Sequence, residues 1–324
     1  MDIVLTGSVA FDYLMTFPGY FREHILPDHL DKISLSFLVD SMVRRRGGIA
    51  PNIAYTLSLF GEKPVLWATV GEDFDEYNDW LESRGIDTRG IQVIPNEYTA
   101  SFFVNTDLSQ AQIASFYPGA MAFAAQNSLL KLRGKKPDLV VISPNAPEAM
   151  IQHIEECQEL GVPYIYDPSQ QIVRLSGDDL CSGISAAHAL FVNEYEYELI
   201  RKMTKLEKEA ILECDPVSFI VVTRGKMGST VYSRTGEISI PVVQPERISD
   251  PTGVGDAFRG GFLAGYSRGL GLEICAQMGA LAASYCLENH GTQGHFYNPE
   301  DFVKRFRQHF NDNGQLDILI EKGQ

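Results

Sequence analysis

The feature that most constrains this chain is the recurrence of short, almost wholly apolar runs separated by helical patterns. The runs are DIVLTG (2–7), PVLWATVG (64–71), PDLVVIS (137–143), VPYIYD (162–167), ALFVN (189–193) and SFIVVTR (218–224). Near-continuous hydrophobicity suits strands covered on both faces, and the intervening helices supply the covers. The pattern therefore predicts an α/β fold with a mainly parallel central sheet and helices on both faces. A chain of 324 residues is long enough for one large domain of this kind with a small appendage. The runs also end alike: Ser8, Asn145, Asp167, Asn193 and Thr223 fall at or just past their C-terminal ends. Each alone reads as an ordinary turn or cap residue. Together they mark the edge where open α/β sheets bind ligands.

Two stretches break the series. KISLSFLV (32–39) alternates Ile33, Leu35, Phe37 and Val39 with Ser34, Ser36 and Leu38, and YTASFFVNTD with QIASFYPG (98–119) forms a hairpin-like pair. Period-two alternation predicts half-exposed antiparallel strands outside the main sheet. The expected division is a large domain of 1–12, 47–95 and 119–324 and a small β lid of 13–46 and 96–118. One face of the lid would close over the sheet edge. The other, carrying Ile33, Leu35 and Phe37, would need a second copy of itself, making a homodimer. The RRR run at 44–46 reads as a solvated strand end.

Composition narrows the function. A formal charge of −15 argues against a nucleic-acid partner but leaves room for a locally positive pocket. No apolar run reaches the ~18 residues of a membrane span. The opening MDIVLTGSVAFDYL lacks a basic segment, so a cytoplasmic protein is expected, without a membrane partner. Five cysteines (157, 181, 214, 275, 286), odd in number and without a CxxC pair, read as reduced thiols. No His/Cys cluster suggests zinc.

The chemistry is concentrated in two glycine-rich stretches. In DPTGVGDAFRGG (250–261), Gly253, Val254, Gly255 and Asp256 would form the first turn of a helix rich in small residues. A helix start offers unpaired N–H groups to an anion. An acid placed among them fits a base that accepts a hydroxyl proton, and equally a favourable first-turn carboxylate. In GGIAPNIA (47–54), Gly47 and Gly48 permit close approach by a ligand, Pro51 suits a first helical turn, and Asn52 both donates and accepts. Taken alone, this is also compatible with a simple turn.

The pair GG-x3-N-x-A and D-x-T-G-x-G-D-x-F resembles the two signatures of the ribokinase-like (PfkB) carbohydrate and nucleoside kinases; a GxxxxGK[ST] loop is absent. Across nearly the whole chain, GSVAFDYLMTFPG, KISLSFLVD, QIASFYPGAM and DPSQQIVRLSG are similar to bacterial adenosine kinases of the actinobacterial type. The resemblance implies a ribokinase-like fold and ATP-dependent phosphorylation of the adenosine 5′-hydroxyl, a purine-salvage reaction. It implies that Asp256 is the base, with Gly253, Val254 and Gly255 as anion hole, and that Asp12 holds the ribose diol. Ser8, Gly48 and Asn52 fall at substrate-side positions. Ser36, Phe102 and Phe116 match lid residues, and Gln171 and Arg174 match positions facing the nucleoside. Asn193 and Glu196 match the N-x-x-E motif that organises Mg²⁺ water and phosphate. Thr223, Gly225 and Gly228 match the nucleotide-binding turn. Asp250 and Thr252 match a monovalent-cation site, with Pro251 where Thr is common, so K⁺ joins ATP and Mg²⁺ as a candidate. His290 and His295 read as exposed loop residues. The Ala- and Gly-rich helix from 275 offers either a flat surface to an adenine or close helix packing. The alternatives are a sugar kinase of the same fold and a non-catalytic nucleoside-binding regulator.

Overall fold

The computed structural model describes residues 1–25 and 34–321. In chain order its strands are β1 (Ile3–Thr6), β2 (Ala10–Thr16), β3 (Ser41–Gly47), β4 (Val65–Val70), β5 (Asp87–Val93), β6 (Ala100–Thr106), β7 (Gln112–Tyr117), β8 (Leu139–Ile142), β9 (Tyr164–Tyr166), β10 (Ala189–Asn193), β11 (Phe219–Thr223), β12 (Ser229–Ser233) and β13 (Gly236–Ile240). The helices are α1 (Ile49–Ser58), α2 (Asp75–Ser83), α3 (Pro147–Leu160), α4 (Gly177–Ser185), α5 (Glu194–Thr204), α6 (Lys208–Glu213), α7 (Val254–Ser267), α8 (Leu272–Leu287) and α9 (Pro299–His309). All six apolar runs become strands of one 9-stranded sheet, ordered β13-β12-β11-β10-β9-β8-β1-β4-β5. It is parallel from β11 to β5, with the β12–β13 hairpin added antiparallel at one edge.

Alternate side chains of each central strand enter different cores. Leu5 and Phe191 pack with α7 and α8 on one face, whereas Val4 and Leu190 pack with α3 and α4 on the other. This two-sided burial explains why the runs lack polar interruptions. The strands that the apolar pattern did not reveal, β5, β12 and β13, lie at or beside the sheet edges. An edge needs less apolar sequence.

The second sheet is four-stranded, ordered β3-β2-β6-β7. Its membership corrects the expectation for 32–39. Residues 32 and 33 lie outside the described residues, and 34–39 are irregular; the edge strand is β3, which contains the arginine run. Phe37 is drawn into an aromatic cluster, with ring centroids 5.0 Å from Phe17 and 4.9 Å from Phe21. β3 instead pairs with β2 along its whole length, from Ala10↔Gly47 to Thr16↔Ser41.

The small residues of α7 and α8 serve close packing. A Cβ at Gly260 would lie 2.5 Å from Thr56 Cβ on α1, and one at Gly261 would lie 2.7 Å from the Met278 carbonyl on α8. Gly279 presses on the Phe258 carbonyl in the same way, at 2.7 Å. The five cysteines are free, and burial pushes the Cys157, Cys275 and Cys286 thiols up to about 12. Among the described residues no helix is long and apolar enough to cross a membrane.

Candidate active site

Two turns bring the glycine signatures together at the C-terminal edge of the main sheet. Gly253, at φ 78°, caps α7 in the left-handed region, and Asp256 follows in the first turn. Gly48, at φ 94°, caps α1, and any side chain there would meet the Ser8 carbonyl at 2.5 Å. Ser8 Oγ accepts from the Ile49 amide at 3.4 Å. The two helices then place Asn52 opposite Asp256: Asn52 Nδ2 donates to the Asp256 carboxylate at 2.8 Å. Gln293 Nε2 in turn donates to Asn52 Oδ1 at 3.1 Å, which fixes the amide orientation. Burial raises Asp256 to about 6, against the opposing pull of Arg259 and Asn52, while Glu196 adds to the rise.

The other signature glycine belongs to Asp12. A Cβ at Gly47 would lie 2.6 Å from Asp12 Oδ2, so only glycine leaves that carboxylate its place. Asp12 sits mid-strand in β2, opposite Arg45 on β3 and Phe102 on β6, and Phe102 is opposite Phe116 on β7. Directly paired residues share a face. Arg45, Asp12, Phe102 and Phe116 therefore line one side of the small sheet. Burial raises Asp12 to about 6; Arg45 pulls it down, while Asp250 and Asp256 push it up. Asp12 and Asp256 are thus close enough to feel each other across one space. Phe102 is half-buried and Phe116 is 49% exposed. Ser36 is exposed on the irregular stretch, outside the strands that carry the two rings.

Behind Asp256 lies a residue that the sequence reading missed. Arg259, one turn along α7, clamps Asp167 through Nε (2.6 Å) and Nη2 (2.7 Å). Asp167 is fully buried and rises to about 7, through burial first and then Glu196 and Asp256, despite Arg259. Asn193 and Glu196 form a reciprocal capping box at the start of α5, at 2.7 and 2.9 Å, and Ser169 Oγ donates to the free oxygen of Glu196 at 3.2 Å. Gln171 is buried on the turn Ser169–Arg174, and its Oε1 has no partner among the described residues. Arg174, at the end of that turn, is exposed. Asn145 is a turn residue whose Oδ1 accepts the Ala146 amide at 2.9 Å.

Residues 8–299 match the pfkB family carbohydrate kinases. The chain belongs to the PfkB family. A nucleoside kinase of Methanothermobacter thermautotrophicus is 31% identical over 310 residues, covering 94% of this chain and 95% of that protein. A cytidine kinase of Thermococcus kodakarensis is 30% identical over 298 residues, covering 90% and 98%. The structure of Burkholderia thailandensis nucleoside kinase in complex with inosine superposes with a TM-score of 0.85 at 34% identity, covering 95% of this chain and 98% of that one. The PfkB protein is accordingly an ATP-dependent phosphotransferase acting on a hydroxyl, which sets aside the non-catalytic alternative.

The family implies Mg²⁺, and the charge balance of this PfkB kinase fits it. Asp167, Glu196 and Asp256 interact with one another and with a single guanidinium, Arg259, which leaves a surplus of negative charge. Among the described residues no three acidic, His or Cys side chains converge as direct ligands. By the N-x-x-E resemblance, Glu196 and Asn193 would hold the ion through water, where it would neutralise charge on transferring phosphates. Thr223 stands beside Asn193 in the β10–β11 register, followed by Gly225 (φ 53°, with open space at its Cβ position) and Gly228.

The monovalent-cation expectation fares differently. Asp250 accepts from the Thr252 amide (3.0 Å), the Gly291 amide (3.0 Å) and Arg45 Nη1 (2.9 Å). These partners outweigh burial and hold its carboxyl below the usual range. The positive charge there comes from the small sheet, so Asp250 and Thr252 do not fit a K⁺ site in this arrangement. His295 is also not the exposed loop residue expected. It is buried against Thr56 Oγ1 (3.1 Å), and burial lowers it to about 4. His290 borders a cavity beside β3.

Proposed function

We propose that this PfkB kinase transfers the γ-phosphoryl group of ATP to the 5′-hydroxyl of a ribonucleoside, adenosine foremost, yielding AMP and ADP. The observation that carries this reading is the single space shared by Asp12, Asp256 and the Phe102 face of the small sheet. Asp12, framed by Gly47, offers a charged acceptor to the ribose 2′- and 3′-hydroxyls. Asp256, ionised above about 6, takes the 5′-hydroxyl proton as the oxygen attacks the γ-phosphorus and the bond to the β-phosphate oxygen breaks. The amides of 253–256 face the transferring group from the start of α7. Asn52 orients the base, and Arg259 positions α7 against Asp167.

The aromatic face supports a nucleoside over a free sugar. Phe102 and Phe116 give a nucleobase an apolar surface on the same side as Asp12. Gln171, whose Oε1 has no partner among the described residues, is a candidate acceptor for an exocyclic amine. The names of the relatives support nucleosides broadly, including cytidine. Met42, Phe103, Ile113 and Tyr117 stand exposed on the opposite face of the small sheet, and a second copy of this chain is the cover we assign to them.

The test is ATP-dependent phosphorylation of adenosine, inosine, guanosine, cytidine, ribose and fructose under one condition. We expect kcat/KM for adenosine to exceed that for either sugar by at least ~100-fold, because the sugars forfeit the base contacts. Preference for ribose or fructose would overturn the nucleoside assignment. Preference for inosine or cytidine would overturn the choice of adenosine alone.

A further inference from the structure

We propose that this chain has a second ligand site, for a phosphoryl dianion, at the β3 edge of the small sheet. A cavity of about 350 Å³ lies between β3, α2 and the loop 290–294, and neither Asp12 nor Asp256 lines it. Arg44, Arg45, Arg46 and His290 do, in a molecule whose formal charge is −15. Such a local reversal of sign sets the chemistry of any occupant.

The positive charge there is only partly spent. Arg45 is committed to Asp250, but Arg44 and Arg46 share one acid, Glu76, at 3.8 and 3.1 Å. The Glu76 side chain is 74% exposed, and exposed pairs of this kind contribute little. An incoming dianion competes with it easily. The two guanidinium groups are also held ready. Arg44 lies 3.6 Å above the Phe11 ring and Arg46 lies 4.7 Å above Trp80, so aromatic surfaces fix the planes that grip phosphate oxygens in pairs. The cavity exceeds the size of phosphate alone, so a small phosphomonoester such as a sugar phosphate fits as well as the free ion.

Occupancy would be felt at the transfer site. Gln293 borders the cavity, takes the Trp80 indole N–H on its Oε1 at 3.0 Å, and donates to Asn52, the partner of Asp256. The binding claim is independent of the proposed acceptor; only this coupling rests on the role given to Asp256.

Trp80 supplies the signal. The chain has two tryptophans, and Trp67 is buried with its indole donating to the Asn127 carbonyl. Ribose 5-phosphate and inorganic phosphate are titrated against full-length protein at constant ionic strength while Trp emission is followed. Saturable binding is expected for at least one probe, absent from Trp80→Phe fluorescence and unchanged by Asp12→Ala. Arg44→Ala/Arg46→Ala should weaken it at least ~10-fold, as expected on losing two charge-assisted contacts. Glu76→Gln, which removes the competing acid, should tighten it severalfold. Tighter binding of ribose 5-phosphate assigns the site to a phosphomonoester, and equal binding assigns it to free phosphate. No saturable response in wild type, or a response indifferent to both the arginine and Glu76 variants, overturns the proposal. A kcat that ignores saturating probe overturns the coupling alone.

Discussion

At the scale of single residues, the most consequential number is the pKa of about 6 at Asp256, against an ordinary 3.8. Raising a carboxyl by burial makes it a better base, and it also makes the folded state carry an unwelcome charge. Above pH 6 both folded and unfolded chains ionise, and the folded chain bears the full cost; below 3.8 neither is charged and the cost vanishes. Asp256→Asn should therefore lose at least ~100-fold in kcat, as expected for a removed general base, yet melt higher than wild type at pH 8. That gain, ~1–2 kcal/mol, should fade as pH falls through 6 towards 4. Equal activity, or a lower melting temperature at pH 8, would count against the assignment. Wild-type kcat should show an acid limb near 6. Asp12→Ala should weaken adenosine binding by ~2 kcal/mol or more while leaving 2′,3′-dideoxyadenosine nearly untouched, because only the first ligand offers the diol. A calorimetric titration of both ligands separates this role from a loss of fold stability. Asp256 was legible in the sequence because it stands among glycines, and Asp12 through the family resemblance alone. Arg259, Arg45 and Gln293 were not, since their partners lie 92, 205 and 241 positions away.

At the scale of elements, β3 shows where pattern reading fails. SMVRRRG carries no apolar stripe, because its arginines face Glu76 and Asp250 rather than a core. In the alternating segment 32–39, the described residues 34–39 form no strand, and Phe37 serves an aromatic cluster. The central strands were legible because both of their faces are covered. The Arg45–Asp250 pair makes β3 a strut between the small sheet and the loop that starts α7. We propose that this guanidinium, delivered by the chain, stands in for a diffusible cation. Wild-type activity should therefore change by less than about twofold when K⁺ is exchanged for tetramethylammonium, since Arg keeps its charge and position throughout. Arg45→Ala should lose activity and regain part of it as KCl is added, beyond what NaCl restores. Strong K⁺ activation of wild type would contradict the strut.

At the scale of the whole molecule, the proposed dimer rests on the outer face of the small sheet. Met42, Phe103, Ile113 and Tyr117 share that face, and Phe103 stacks on Tyr13 with ring centroids 4.7 Å apart. Phe103→Asp with Ile113→Asp should yield a monomer by sedimentation velocity and raise KM for the nucleoside, because each sheet loses its support. A wild type that sediments as a monomer at micromolar concentration with full activity would remove the dimer. The glycine contacts of α7 have a different consequence. With Gly260 against Thr56 of α1 and Gly261 against the Met278 carbonyl of α8, the three helices meet so closely that α7 has no room for a side chain at either position. Contacts that short leave no slack to be taken up by rotamer changes. We expect the helix that carries Asp256 to act as a fixed anvil, and the small sheet to supply the movement on substrate binding. Amide exchange should record that division as two separate clocks, slow in the middle of α7 and fast along β3 and β7, with substrate slowing only the second.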